Sequence, residues 1–159
     1  MKNKVIYMLF IACAGIITSC ADDAFYISTV DMKHNFWQKG EETSYDLQIA
    51  DTTTCYDIAL HLRNNESYPW TNIYVIYSIE DTTGILKKDT TMCNLFDITG
   101  RPTGSGLSNV KENTIVLWDD YTFPHNGKYE VKVSHGMRNV ELPGIASLTL
   151  RIVKNDTIR

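Results

Sequence analysis

Apolar and polar residues take turns along most of this chain. Tyr45, Leu47 and Ile49 are separated by Asp46 and Gln48, and Tyr56, Ile58, Leu60 and Leu62 alternate with Asp57, Ala59, His61 and Arg63. A period of two puts one set of side chains on a core face and the other in water, as in a half-buried strand. Ile73 to Ile79 is apolar on both faces, the pattern of a central strand. Further strands are predicted over 88–96, 114–118, 129–133 and 147–153, which makes seven. No stretch carries an i, i+3, i+4, i+7 stripe over three turns, so helices are not expected.

Turn chemistry separates these segments. Asp81-Thr82-Thr83-Gly84 stands between the third and fourth strands. Asn126-Gly127 reads as a hairpin signal, since both residues tolerate positive φ. Pro143-Gly144 fits a type II turn. Gly100 to Gly106 reads as a longer loop. Seven short strands joined by turns predict an all-β fold, an antiparallel β-sandwich, with a partly closed barrel as the structural alternative.

The first twenty residues obey different rules. A basic start, Met1-Lys2-Asn3-Lys4, leads into fourteen mostly apolar residues from Val5 to Thr18. At about 1.5 Å per residue these cover roughly 21 Å, short of a hydrocarbon core of about 30 Å. Asp22-Asp23 follows almost at once, so residues 1–19 read as a secretory signal and not as a spanning helix. Ile17-Thr18-Ser19-Cys20 resembles the bacterial lipobox, which makes Cys20 the lipid-bearing residue of the mature chain. Each buried methylene contributes about 0.8 kcal/mol, so two or more acyl chains anchor a protein stably on a bilayer. The expected organisation is a signal peptide over 1–19, a lipid-anchored tether over 20–35, and one β-sandwich domain over 36–159.

Charge and chemistry narrow the function. Without the signal, thirteen basic residues face nineteen acidic ones, which argues against nucleic acid and against electrostatic adhesion to anionic lipid. Cys55 and Cys93 are the cysteines left after Cys13 and Cys20, and they fit either a disulfide or two small buried hydrophobes. His34, His61, His125 and His135 show no metal-ligand spacing and read as solvated surface residues. Gly104-Ser105-Gly106 lacks the frame of a nucleophile elbow. Asp119-Asp120 is a poor carboxylate pair, because neighbours in a strand point to opposite faces. Nothing here indicates catalysis, a metal or a cofactor.

Aromatic residues offer more. Tyr68-Pro69-Trp70 sits between two strands, where loops carry function, and either stacks on a ligand or caps the core. Met137 and Arg138 precede Leu142-Pro143 in a second loop, which either docks a partner or folds under the sandwich as a plug.

The order and spacing of several pieces resemble the gliding-motility lipoprotein GldH family of the Bacteroidota. These are the lipobox, the run from Leu62 to Tyr74 containing Leu62-Arg63, Tyr68-Pro69 and Asn72-Ile73-Tyr74, and the Gly-rich loop 100–106. Phe123-Pro124, Gly127-Lys128-Tyr129, Met137-Arg138 and Leu142-Pro143-Gly144-Ile145 complete the likeness. The resemblance implies a non-enzymatic envelope lipoprotein, linked to gliding and type IX secretion. It would be anchored in the outer membrane and would bind other envelope proteins through surfaces that include Tyr68, Trp70, Met137 and Arg138. A surface glycan-binding module is the rival reading of the same fold. Four Asp-Thr steps resemble the O-glycosylation acceptor of that phylum, with Thr52, Thr82, Thr90 and Thr157 as the acceptors, or else they are ordinary turn residues.

Overall fold

The computed structural model describes residues 23–106 and 109–155, so Cys20 and Thr157 lie outside the described residues. Ten strands follow one another: β1 (Ala24–Asp31), β2 (Phe36–Gln38), β3 (Thr43–Ile49), β4 (Cys55–Asn64) and β5 (Asn72–Asp81) form the first half. The second half is β6 (Gly84–Asn94), β7 (Lys111–Tyr121), β8 (Gly127–His135), β9 (Glu141–Pro143) and β10 (Ile145–Asn155). The seven strands expected from periodicity are β3 to β8 and β10.

Eight long strands make two four-stranded antiparallel sheets, ordered β1-β10-β4-β7 and β3-β8-β5-β6. Apart from β5 and β6, consecutive long strands alternate between the sheets, which gives the interleaved order of a jelly roll. The short pair β2-β9 forms a separate ladder. Alternation decides which side chains meet between the sheets. Ile58, Leu60, Leu62, Leu148, Leu150 and Ile152 from one face Tyr45, Leu47, Val75, Ile79, Val131 and Val133 from the other, all buried. Two tyrosines cross the gap: Tyr45 Oη donates to the Leu148 carbonyl and Tyr77 Oη to that of Leu117, each at 3.0 Å. Leu117 is the residue skipped where the β4–β7 register shifts, so its carbonyl is free to accept.

Three expectations change. The stretch assigned to a tether contains β1, an edge strand whose register runs from Ala24 opposite Val153 to Asp31 opposite Ser147. Asn126-Gly127 does not close a hairpin, because β7 and β8 belong to different sheets and the chain crosses over there. Among the described residues Cys55 and Cys93 form no disulfide with each other. Cys55 begins β4 beside Asn155, whereas Cys93 pairs with Ile73 near the other end of β5. Ten residues of β4 separate those ends by about 30 Å, far beyond the roughly 7 Å that a disulfide spans between Cα atoms.

Candidate functional site

One end of the sandwich collects the loops 65–71, 95–106 and 136–144. Asn65 organises the first: its N–H donates to the Gly144 carbonyl at 2.8 Å, its side chain accepts from Ser67 N at 2.9 Å, and its carbonyl accepts from Tyr68 N at 3.1 Å. Tyr68 is thereby turned inward, 2% exposed, and its hydroxyl donates to the Asn72 carbonyl at 2.8 Å. That corrects its expected place on a docking surface: Tyr68 is a support. Trp70 rests edge-on against it, with ring centroids 5.3 Å apart, and is half-buried. The Gly-rich loop is tied back by Thr103, which donates through N to Leu95 O and through Oγ1 to Asn94 O, and by a two-way bond pair between Ser105 and Glu112.

The second loop divides into an inner and an outer part. Leu142 is fully buried and Met137 packs half-buried on the core, whereas Arg138, Asn139, Val140 and Glu141 are exposed. The residues that fold under the sandwich and those left exposed to solvent are thus different parts of one loop. Lys39 pins the outer part, its N–H donating to the Val140 carbonyl at 2.7 Å. Phe36, Tyr74, Met92, Ile98 and Val140 all expose apolar surface at this end, Ile98 fully and Val140 at 71%. Residue types alone singled out Met137, Arg138 and Trp70 but missed these five, since exposure is not written in local periodicity.

Beneath the loop lies His135, expected in solvent but 3% exposed. It continues the inward series of Tyr129, Val131 and Val133, and its ring meets Trp37 at 5.4 Å, nearly perpendicular. Among the described residues neither ring nitrogen has a partner at hydrogen-bond geometry, although the Trp37 backbone is near enough to favour the protonated ring slightly. Burial, and after it the charge of Lys39, holds the His135 pKa below its ordinary value. An unfolded histidine takes its proton first as pH falls below about 6.5, so this group's contribution is present above that pH and declines as pH drops toward the lower folded pKa. The expected slope is at most about 1.4 kcal/mol per pH unit. His135→Leu should flatten the acid-side fall in melting temperature between about pH 6.5 and 5, and an unchanged profile would remove His135 as its cause.

The opposite end is built from Asp-x-Thr turns. Asp51 Oδ1 accepts from Thr53 N and Oγ1 at 2.9 and 2.8 Å, and Asp81 Oδ1 binds the same two atoms of Thr83 at 2.6 Å each. Back at the first end, Asp97 and Thr99 repeat the arrangement with Ile98 between them, so the aspartate serves the threonine two residues on, not the one beside it. Of the expected acceptors, Thr82 is exposed in its turn, Thr90 is exposed in mid-β6, and Thr52 is half-buried. His125 Nε2 lies 2.9 Å from Asp81 Oδ2 and its ring stacks on Tyr129, whose hydroxyl donates to the His125 carbonyl at 2.6 Å. Bonds from the Thr83 side chain and backbone, and then from His125, hold the Asp81 carboxyl at about 2. The His125 pKa is raised, first by the Asn126 carbonyl and then by Asp81, so it favours the fold at acid pH, opposite in sign to His135. Among the described residues, no three His, Cys, Asp or Glu side chains come together as a metal set.

Comparison with known proteins bears on the same domain. A family model described as GldH lipoprotein matches residues 24–152, from the first residue of β1 almost to the end of β10. The gliding motility lipoprotein GldH of Flavobacterium johnsoniae is 31% identical, over 93% of this chain and 90% of its own. A GldH homolog of Christiangramia forsetii is 28% identical, over 98% of this chain and 99% of its own. Among solved structures, a family GH115 4-O-methyl-α-glucuronidase with specificity for decorated arabinogalactans is similar with a TM-score of 0.51 at 10% identity. That match covers 87% of this chain and 18% of the enzyme, and it speaks to the fold alone.

Proposed function

The chain belongs to the GldH lipoprotein family, and from that premise we propose a non-enzymatic role: it docks another envelope protein through the end that carries Arg138 and Val140. As a GldH-like lipoprotein it is a lipid-anchored component of the cell envelope linked to gliding motility. The lipid is held by Cys20 in the outer membrane, and the partner belongs to the gliding or type IX secretion machinery. The observation that supports docking is that Phe36, Tyr74, Met92, Ile98 and Val140 expose apolar surface at the same end of the sandwich as half-buried Trp70 and exposed Arg138. Aromatic residues, Met and Arg are the types enriched in interface cores, and a rigid sandwich presents them without rearranging.

A photo-crosslinking residue placed at Asn139 in intact cells should trap one envelope protein. Arg138→Glu with Val140→Asp changes exposed side chains only, so melting temperature should hold within a few degrees while the crosslink and, in a gliding host, motility are lost. A stable double variant that still crosslinks and supports motility would remove this surface from the function.

A further inference from the structure

We propose that the end of the sandwich formed by the turns at 50–54, 81–84 and 121–127 faces the lipid headgroups, and that the docking end stands away from them. This rests on the reading of Cys20 as the lipid-bearing residue. Ala24 begins β1, and four residues span at most about 14 Å, so the start of β1 cannot stray farther than that from the anchor. Its register fixes which end is held. Ala24 pairs with Val153, Val153 with Asp57, and neighbouring Tyr56 pairs with Lys154 and Tyr121. The Tyr56 hydroxyl donates to Asp51 O at 2.8 Å and its ring meets Phe123 at 5.3 Å, so all these groups share the Ala24 end.

Local chemistry suits a headgroup surface. Phe25, next to Ala24, is 37% exposed, and Lys154 Nζ lies 5.5 Å over its ring. An aromatic ring with a long cationic side chain reaching past it is what interfacial zones of membranes favour. The turns themselves are polar, with Asp51 and Asp81 held ionised by their threonines, so this end rests at the surface and does not insert. Running away from it, β4 ends about 30 Å farther out at Asn64, beside the loop of Tyr68 and Trp70. Docking at that distance suits a partner projecting well above the bilayer, not one lying flat on it.

The test uses full-length lipidated protein on phosphatidylethanolamine–phosphatidylglycerol vesicles that carry an acceptor dye on the headgroup. In a Cys55→Ser, Cys93→Ser background, a donor dye is attached through Thr82→Cys or through Asn139→Cys, both exposed positions. Energy transfer to the lipid should be several-fold stronger from position 82 than from 139. Asn126→Cys and Ser67→Cys form an independent pair of the same design. Equal transfer in a protein that floats with the vesicles overturns the orientation and leaves the anchor standing. A protein that does not float, while a verified lipoprotein does, overturns the anchor and the orientation with it.

Discussion

Gly144→Ala is expected to cost about 2–5 kcal/mol and to lower the melting temperature by roughly 7 to 17 °C. Gly144 has φ +82°, where an L residue strains its own backbone by about 1–2 kcal/mol. An added Cβ would also collide with Tyr68 N and lie 2.8 Å from Ser67 C. Both obstacles are backbone atoms of a turn held by the Asn65–Gly144 bond, so relief requires moving the whole loop, at about 1–3 kcal/mol more. Gly40 is the natural control: its φ is +80° and nothing lies within 4 Å of a Cβ there. Gly40→Ala should therefore show the backbone cost alone, about 1–2 kcal/mol. Equal losses at the two glycines, measured by denaturant unfolding, would show that the contact with Tyr68 is not a constraint.

How far the sequence anticipated this fold depends on how each strand is covered. Strands with one face in the core and one in water, such as β3 with its strict buried–exposed alternation, announce themselves. β1 does not. Phe25, Tyr26 and Ile27 are consecutive apolar residues followed by Ser28 and Thr29, because an edge strand at the rim half-buries one face and leaves the other exposed. β6 showed its strand character but not its surroundings, since nearly every residue of it is exposed on both faces. His135 was legible in principle: counting by twos from Val131 and Val133 lands on it, yet the adjacent Gly136 reads as a turn and pulls it toward solvent. The proposed docking end was half legible. Tyr68-Pro69-Trp70 and Met137-Arg138 were found from residue type, but which of them face outward is decided by Asn65 and Gly144, a contact between loops nearly eighty residues apart. Local sequence carries no period for such a contact.

Trp37→Ala should be as costly as the glycine change and should also disable the proposed docking loop. Trp37 is fully buried although it stands in a ladder of only three residues, opposite Leu142, which is equally buried. Among the described residues the β2–β9 pair has no third strand, so these two side chains and the ring contact with His135 help to hold it on the sandwich, together with the Asn65–Gly144 bond just beyond β9. Among the described residues the indole Nε1 has no hydrogen-bond partner, so truncation forfeits packing alone, and emptying a site of this size costs about 3–5 kcal/mol. Trp37→Phe keeps most of the ring and removes that unpaired N–H, so it should cost clearly less. If the ladder is a unit, Trp37→Ala and Leu142→Ala will be non-additive, since whichever comes first already loosens the pair. Detachment of β9 would free residues 138–141, so proteolytic nicking there should quicken and the Asn139 crosslink should fade even at temperatures where the two main sheets remain folded. A Trp37→Ala protein that melts within a few degrees of the parent and crosslinks normally would mean that the loop is positioned by something other than this ladder.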